Sequence, residues 1–235
     1  MAVSGGISRY FRPGLESLQA MWRPMLIVQS ALVLTVAGYF LNPGFQQVME
    51  RVAEYKDRGG VPLVLAVGFF AGGILPEIAK ALVGKIGKTD RDWVNSTLYT
   101  GSVYMLVTFL VVAFFKLQVV LFGDSGTLGM VVKKVLVDQL IFSPFVSIPL
   151  AVGLFRWRKD KFDFKAWRSV ASLSGYRENV LPALVMCWSY WGPITFAMYF
   201  LPERLQFVVS SFCQAAWSLL FVFLVHRPES HAPPE

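Results

Sequence analysis

The chain has 235 residues, 55% of them hydrophobic and only 16% charged, with a formal net charge of +7. Soluble domains carry about a quarter charged residues, and the apolar residues here come in long blocks, so a water-soluble globular domain is excluded. The positive charge is what Lys and Arg collected on the cytoplasmic-equivalent loops of a membrane protein would give, and no nucleic-acid motif accompanies it.

In chain order, residues 1–23 carry Arg9, Arg12 and Arg23 against one acid, Glu16. Tyr10, Phe11, Leu15, Leu18 and Trp22 recur at helical spacing, which predicts a short amphipathic interfacial helix. The first span is predicted at 24–41 and ends at Asn42-Pro43-Gly44, and a polar loop then closes at Gly59-Gly60. The second span, 61–83, contains Gly68 and Gly72 at close-packing spacing, then Pro76 with Glu77 and Lys80 on one helical face. Either Pro76 breaks the span and those polar groups line a cavity, or the span's last turns reach the interface and Glu77 pairs with a snorkelling Lys80.

Residues 84–97 read as a polar loop and 98–122 as the third span. The fourth covers 131–155, about the 20 apolar residues that a membrane crossing needs. After it, 156–179 is the most basic segment, with Trp157, Phe162, Phe164 and Trp167 among its charges. Arg156, Arg158, Lys159 and Lys161 are candidates to hold anionic lipid headgroups in such a layer. Spans at 180–201 and 205–225 follow, and the tail 227–235 is predicted to be disordered. The fold class is therefore all-α, a polytopic helical membrane bundle of about six transmembrane helices with kinked or broken spans, forming a single domain over 24–226. With the N-terminus inside, that face holds more than twice the Lys and Arg of the other, which places both termini on the cytoplasmic-equivalent side. The host membrane is the cytoplasmic membrane in a bacterium, or a mitochondrial inner or peroxisomal membrane in a eukaryote. The lipid bilayer is the expected partner, and the Gly68/Gly72 spacing suits a homo-oligomer as readily as a monomer.

The fourth span carries the chemistry. It places Asp138, beside Gln139, at membrane depth, where an ionisable group faces a bundle interior or a wet cavity. In an α-helix Pro144 frees the Leu140 carbonyl and Pro149 frees that of Phe145. Ser143 and Ser147 are then placed to satisfy those carbonyls or to line a pore with them. Asp138 has two readings, a point on a solute path or a structural pin held by Lys134 one turn earlier or by a neighbouring helix. No catalytic or metal constellation is expected: both histidines, His226 and His231, lie past the last span 205–225, and the two cysteines, Cys187 and Cys213, sit in apolar blocks. No cofactor is implied.

The run from Lys134 through Asp138-Gln139 to Pro144 resembles the K-x-x-x-DQ-x-x-x-x-P signature of the 22-kDa peroxisomal membrane protein family. Its relatives include an inner-mitochondrial-membrane protein tied to mitochondrial DNA maintenance. Trp191-Gly-Pro193, Pro202 and Trp217 resemble the family's later landmarks, and the resemblance covers roughly 61–226. The family's Gly-Asp pair is Pro76-Glu77 here, its Trp-Tyr step is Phe115-Lys116, and its Asn-Phe and Trp-Asn pairs are Tyr199-Phe200 and Trp217-Ser218. The resemblance implies a small helical membrane protein without catalytic activity, acting as a weakly selective channel for small solutes or ions. The alternative is a non-transporting membrane scaffold or lipid-interacting protein. On the channel reading, Asp138, Gln139, Glu77, Lys80 and Ser143 lie on the path, with Pro76, Pro144 and Pro149 as its kinks.

Overall fold

The computed structural model describes residues 4–82 and 91–225. Among these the regular structure is helical and contains no strand. The order is α1 (Ser4–Leu41), α2 (Pro43–Phe69), π-helical Phe70–Ile74, α3 (Leu75–Leu82), α4 (Arg91–Phe122), α5 (Leu128–Val137) and π-helical Asp138–Ser147. Then follow α6 (Ile148–Lys159), α7 (Lys165–Ala171), α8 (Leu173–Gly175), π-helical Tyr176–Val180, α9 (Leu181–Met198) and α10 (Glu203–Val225).

Five helices in the described residues are long and apolar enough to cross a membrane: Tyr10–Leu41, Pro43–Lys80, Trp93–Phe122, Leu128–Lys159 and Leu173–Met198. The protein is a helical membrane protein. Of the six expected spans, 205–225 is not among the five. It forms α10 and packs in the same bundle, but its described part carries Gln206, Ser210, Ser211, Gln214 and Ser218. The predicted tail and the first half of the predicted loop 84–97 lie outside the described residues, and the second half of that loop is the start of α4.

The first helix corrects the sequence reading. Residues 1–23 and 24–41 were expected to be separate, yet α1 runs unbroken through Pro13 and Pro24. Its buried stripe is Met21, Met25, Leu32, Val36 and Tyr39, whereas Leu15 and Trp22 are half exposed. In lipid an outward face is as apolar as an inward one, so the hydrophobic periodicity did not separate the two: Leu18 packs against the core while Leu15 and Trp22 face outward. The buried stripe lies along α9, with Gly14 against Pro182, where a Cβ would stand 2.6 Å from the carbonyl oxygen. The predicted polar loop 42–60 is also helical. Asn42 caps it by accepting from the Gly44 and Phe45 amides at 2.9 and 3.1 Å, and Pro43 fits the first turn, where no amide partner is needed. Only Met49, Ala53 and Lys56 of its first half are buried. Gly60, at φ 56 and ψ −151, breaks the helix in a region open to glycine alone.

Small residues join α2 and the π-helical turns after it to α4. Gly68 meets Thr108, and Gly73 lies on Gly101, whose Cα would be 2.7 Å from an added Cβ. The Gly68/Gly72 face is thus occupied within the chain, which removes the sequence argument for a homo-oligomer. At one end of the bundle Tyr39 Oη donates to Glu50 Oε1 (2.6 Å), Glu50 pairs with Arg204, and the Glu203 amide donates to Asp124 Oδ1 (3.0 Å). At the other, the basic segment is itself folded. Arg156 donates to Asn179 Oδ1 (2.7 Å), while Arg158 lies 5.0 Å above the Tyr99 ring and donates to the Ser96 carbonyl. Of the four headgroup candidates, Lys159 and Lys161 remain exposed, and the two arginines bind protein.

Each of the three π-helical segments stops just short of a proline: Ile74 before Leu75-Pro76, Ser147 before Ile148-Pro149, and Val180 before Leu181-Pro182. A proline ring collides with the carbonyl four residues back in an α-helix, and the wider i→i−5 turn relieves that collision. The Leu75 amide accordingly donates to Phe70, that of Ile148 to Ser143, and that of Leu181 to Tyr176. In this register the carbonyls left free are five residues before each proline rather than four. Those of Pro76, Pro144 and Pro149 belong to Ala71, Gln139 and Pro144, and each accepts from another element: Ser218 Oγ (2.7 Å), Trp188 Nε1 (2.7 Å) and Tyr176 Oη (2.9 Å). In α9, still α-helical at Pro193, the Ser189 carbonyl four residues back accepts from Gln29 Nε2 (2.8 Å).

Candidate functional site

The π-helical turns at Asp138–Ser147 carry Asp138, Gln139, Phe142, Ser143 and Pro144 into the bundle interior. Asp138 is 6% exposed. Its Oδ2 accepts from Tyr199 Oη at 2.5 Å, and its Oδ1 accepts weakly from Ser143 Oγ and Gln139 Nε2, both at 3.3 Å. Tyr199 Oη in turn accepts from Gln118 Nε2 (3.0 Å), and Gln139 Nε2 also reaches Thr195 Oγ1 (3.3 Å). The carboxylate therefore joins α4, the π-helical turns and the Tyr199 corner beyond α9. Lys134, proposed from the sequence as its partner, forms no ion pair with it among the described residues. Ser143 is likewise turned to the carboxylate rather than to a backbone carbonyl.

Asp138, Gln139, Ser143, Ser147 and Thr195 line a partly open chamber of about 160 Å³ whose remaining wall is mainly apolar and aromatic. Two buried amide atoms on its wall lack a hydrogen-bond partner, Gln139 Oε1 and Gln214 Nε2. The lining includes no Lys, Arg or His. A second, wider cavity of about 710 Å³ lies beside it, bounded by Pro13, Pro76, Ser96, Asn179 and Pro182. Glu77 and Lys80 line this one, bonded to each other at 2.6 Å. Tyr104, Ile148, Ala151, Phe155 and Trp217 face both spaces and form the partition. The Tyr104 and Phe155 rings meet edge to face, 6.3 Å apart.

The sequence candidates thus fall into two groups, Asp138, Gln139 and Ser143 in the chamber and Glu77 with Lys80 in the outer cavity. Pro76 borders the outer cavity, while the carbonyls freed by Pro144 and Pro149 are closed by indole and phenol donors and line no pore. Gln118, Thr195 and the partition pair Tyr104 and Phe155 carry no sequence motif, and Tyr199 stands out in the sequence only as a departure from the family's Asn-Phe pair. A tyrosine or glutamine in an apolar run was the available signal, because such a group needs a buried partner. No family model, curated protein or solved structure matches the chain.

Proposed function

We propose that this membrane protein conducts small solutes along the two cavities, entering by the outer one and passing the Tyr104/Phe155 partition to the Asp138 chamber. The observation that carries this reading is the shared wall: Tyr104, Ile148, Ala151, Phe155 and Trp217 line both cavities, and the Tyr104 and Phe155 rings meet there edge to face. Polar atoms without partners on the chamber wall support it, since an unpaired buried group is costly unless something else visits it. The resemblance in the Asp138-Gln139 stretch points the same way, toward a weakly selective channel with no catalytic role. The outer cavity is lined by Asn179, at the end of the basic segment 156–179, and the excess of Lys and Arg on that side supports its opening toward the cytoplasmic-equivalent face.

The test is efflux of small solutes from liposomes holding the purified protein. Wild type releases them, Phe155→Ala releases them faster, and Phe155→Trp slows them. Absence of efflux from folded wild type across neutral, cationic and anionic solutes refutes the pathway. The second reading, a non-transporting scaffold, rests on the Asp138–Tyr199–Gln118 network, which would then serve to lock three elements together.

A further inference from the structure

We infer that the Asp138 chamber is a binding site for a small primary alkylammonium ion. This deepens the pathway reading, since it names the solute class for which the chamber is built, and it rests on the chamber being that reading's solute site.

Three features of the wall converge on that ligand. The first is charge. Asp138 is the one Asp or Glu on the lining, no Lys, Arg or His faces it there, and none lies within ion-pair distance among the described residues. A buried carboxylate with no cation is an expensive arrangement that a cationic ligand relieves. The second is the pattern of donors and acceptors. Gln139 is 8% exposed, and its Oε1 has no partner. The amide orientation follows from its neighbour: Nε2 faces the Asp138 carboxylate, and reversing it would set oxygen against oxygen. An acceptor is therefore vacant next to Asp138 Oδ1, itself held only by two long bonds of 3.3 Å. An –NH3⁺ group carries three donors, enough for Oδ1, Oε1 and one of the hydroxyls of Ser143 and Thr195. A quaternary ammonium would leave Oε1 vacant, and an anion would meet the carboxylate.

The third feature is size and polarity. The chamber measures about 160 Å³, close to an engineered cavity of about 150 Å³ that accepts benzene. The ligand is then a chain of a few carbons, lying against Phe142, Phe115 and Trp191. Aromatic faces attract a cation as well as its alkyl part. Gln214 Nε2, an unpartnered donor on the same wall, would receive a hydroxyl at the far end of an amino alcohol.

The experiment compares isosteres by equilibrium binding to the purified protein in detergent, read as a rise in thermal midpoint with ligand concentration. The probes are propylammonium chloride and 1-propanol, with sodium chloride at matched ionic strength as the blank. Wild type should bind propylammonium at least about tenfold more tightly than propanol, and Asp138→Asn should erase that preference. If Asp138→Asn does not fold, Gln139→Leu replaces it and should weaken propylammonium binding while sparing propanol. Equal binding of the two probes by wild type, or a preference that survives in a folded Asp138→Asn, overturns the inference. The pathway reading fails separately. Propylammonium binding without efflux removes the path and keeps the site, whereas efflux with no ammonium preference keeps the path and removes the site.

Discussion

Replacing Trp188 by Phe tests whether side chains complete the proline-broken helices. The indole Nε1 donates to the Gln139 carbonyl at 2.7 Å, and in the i→i−5 register Pro144 has no amide to offer that oxygen. Phenylalanine keeps most of the packing and loses the donor. A hydrogen bond between membrane helices contributes about 0.6 kcal/mol on average, but here the alternative is an orphaned carbonyl in a dry interior, which costs about 1–3 kcal/mol. The expected loss is therefore about 1–3 kcal/mol, measured as reversible unfolding in mixed micelles. A double-mutant cycle with Pro144→Ala isolates the cause. Restoring the residue-144 amide lets the backbone serve its own carbonyl, so the tryptophan should matter less in that background, with a coupling of about 1 kcal/mol. Costs that add to within about 0.3 kcal/mol would refute the assignment. The indole would then be packing against the turn rather than completing it.

Ser218→Ala should cost about 1 kcal/mol by the same measurement, because Ser218 Oγ serves the Ala71 carbonyl freed by Pro76; no change in stability would contradict this. Two glycine substitutions should have opposite signs. Gly73→Ala drives a methyl into the Gly101 backbone and should cost about 1–3 kcal/mol. Gly192→Ala, mid-helix in α9 with nothing within 4 Å, should be neutral or stabilising by up to about 1 kcal/mol. Equal losses at the two positions would mean that the close approach of the Phe70–Ile74 turns to α4 is not set by Gly73.

The membrane class and most helix positions were legible because long apolar blocks allow little else. Buried faces were not. Leu15 and Trp22 suggested an interfacial stripe, yet the inward residues of α1 are Met21 and Met25, since lipid rewards an apolar surface on either side. The 42–60 helix was hidden by its charges, although Met49, Ala53 and Lys56 already stood at helical spacing. Asp138 was identifiable as the one carboxylate deep in a span, but its partner was not: Lys134 is one turn away in sequence, while Tyr199 lies 61 residues on. Local spacing cannot report a contact that depends on how distant helices pack.

The proline register changes what the kinks are for. Counting four residues back from Pro144 and Pro149 puts free carbonyls at Leu140 and Phe145, which would make the backbone a candidate pore lining. The π-helical turns move the free carbonyls to Gln139 and Pro144, where Trp188 and Tyr176 close them. Phe145 is then well exposed, and Leu140 half exposed, on the outer surface, whereas Asp138, Gln139 and Ser143 are turned inward. One widened turn thus does two things. It removes the backbone from the list of groups a solute could meet, and it sets a carboxylate, an amide and a hydroxyl from adjacent turns on one wall. Chemistry in this bundle therefore depends on side chains. That is why the proposed pathway and the proposed ammonium site can both be probed by conservative substitutions at Asp138 and Gln139, while changes at Trp188 and Tyr176 should act first on stability.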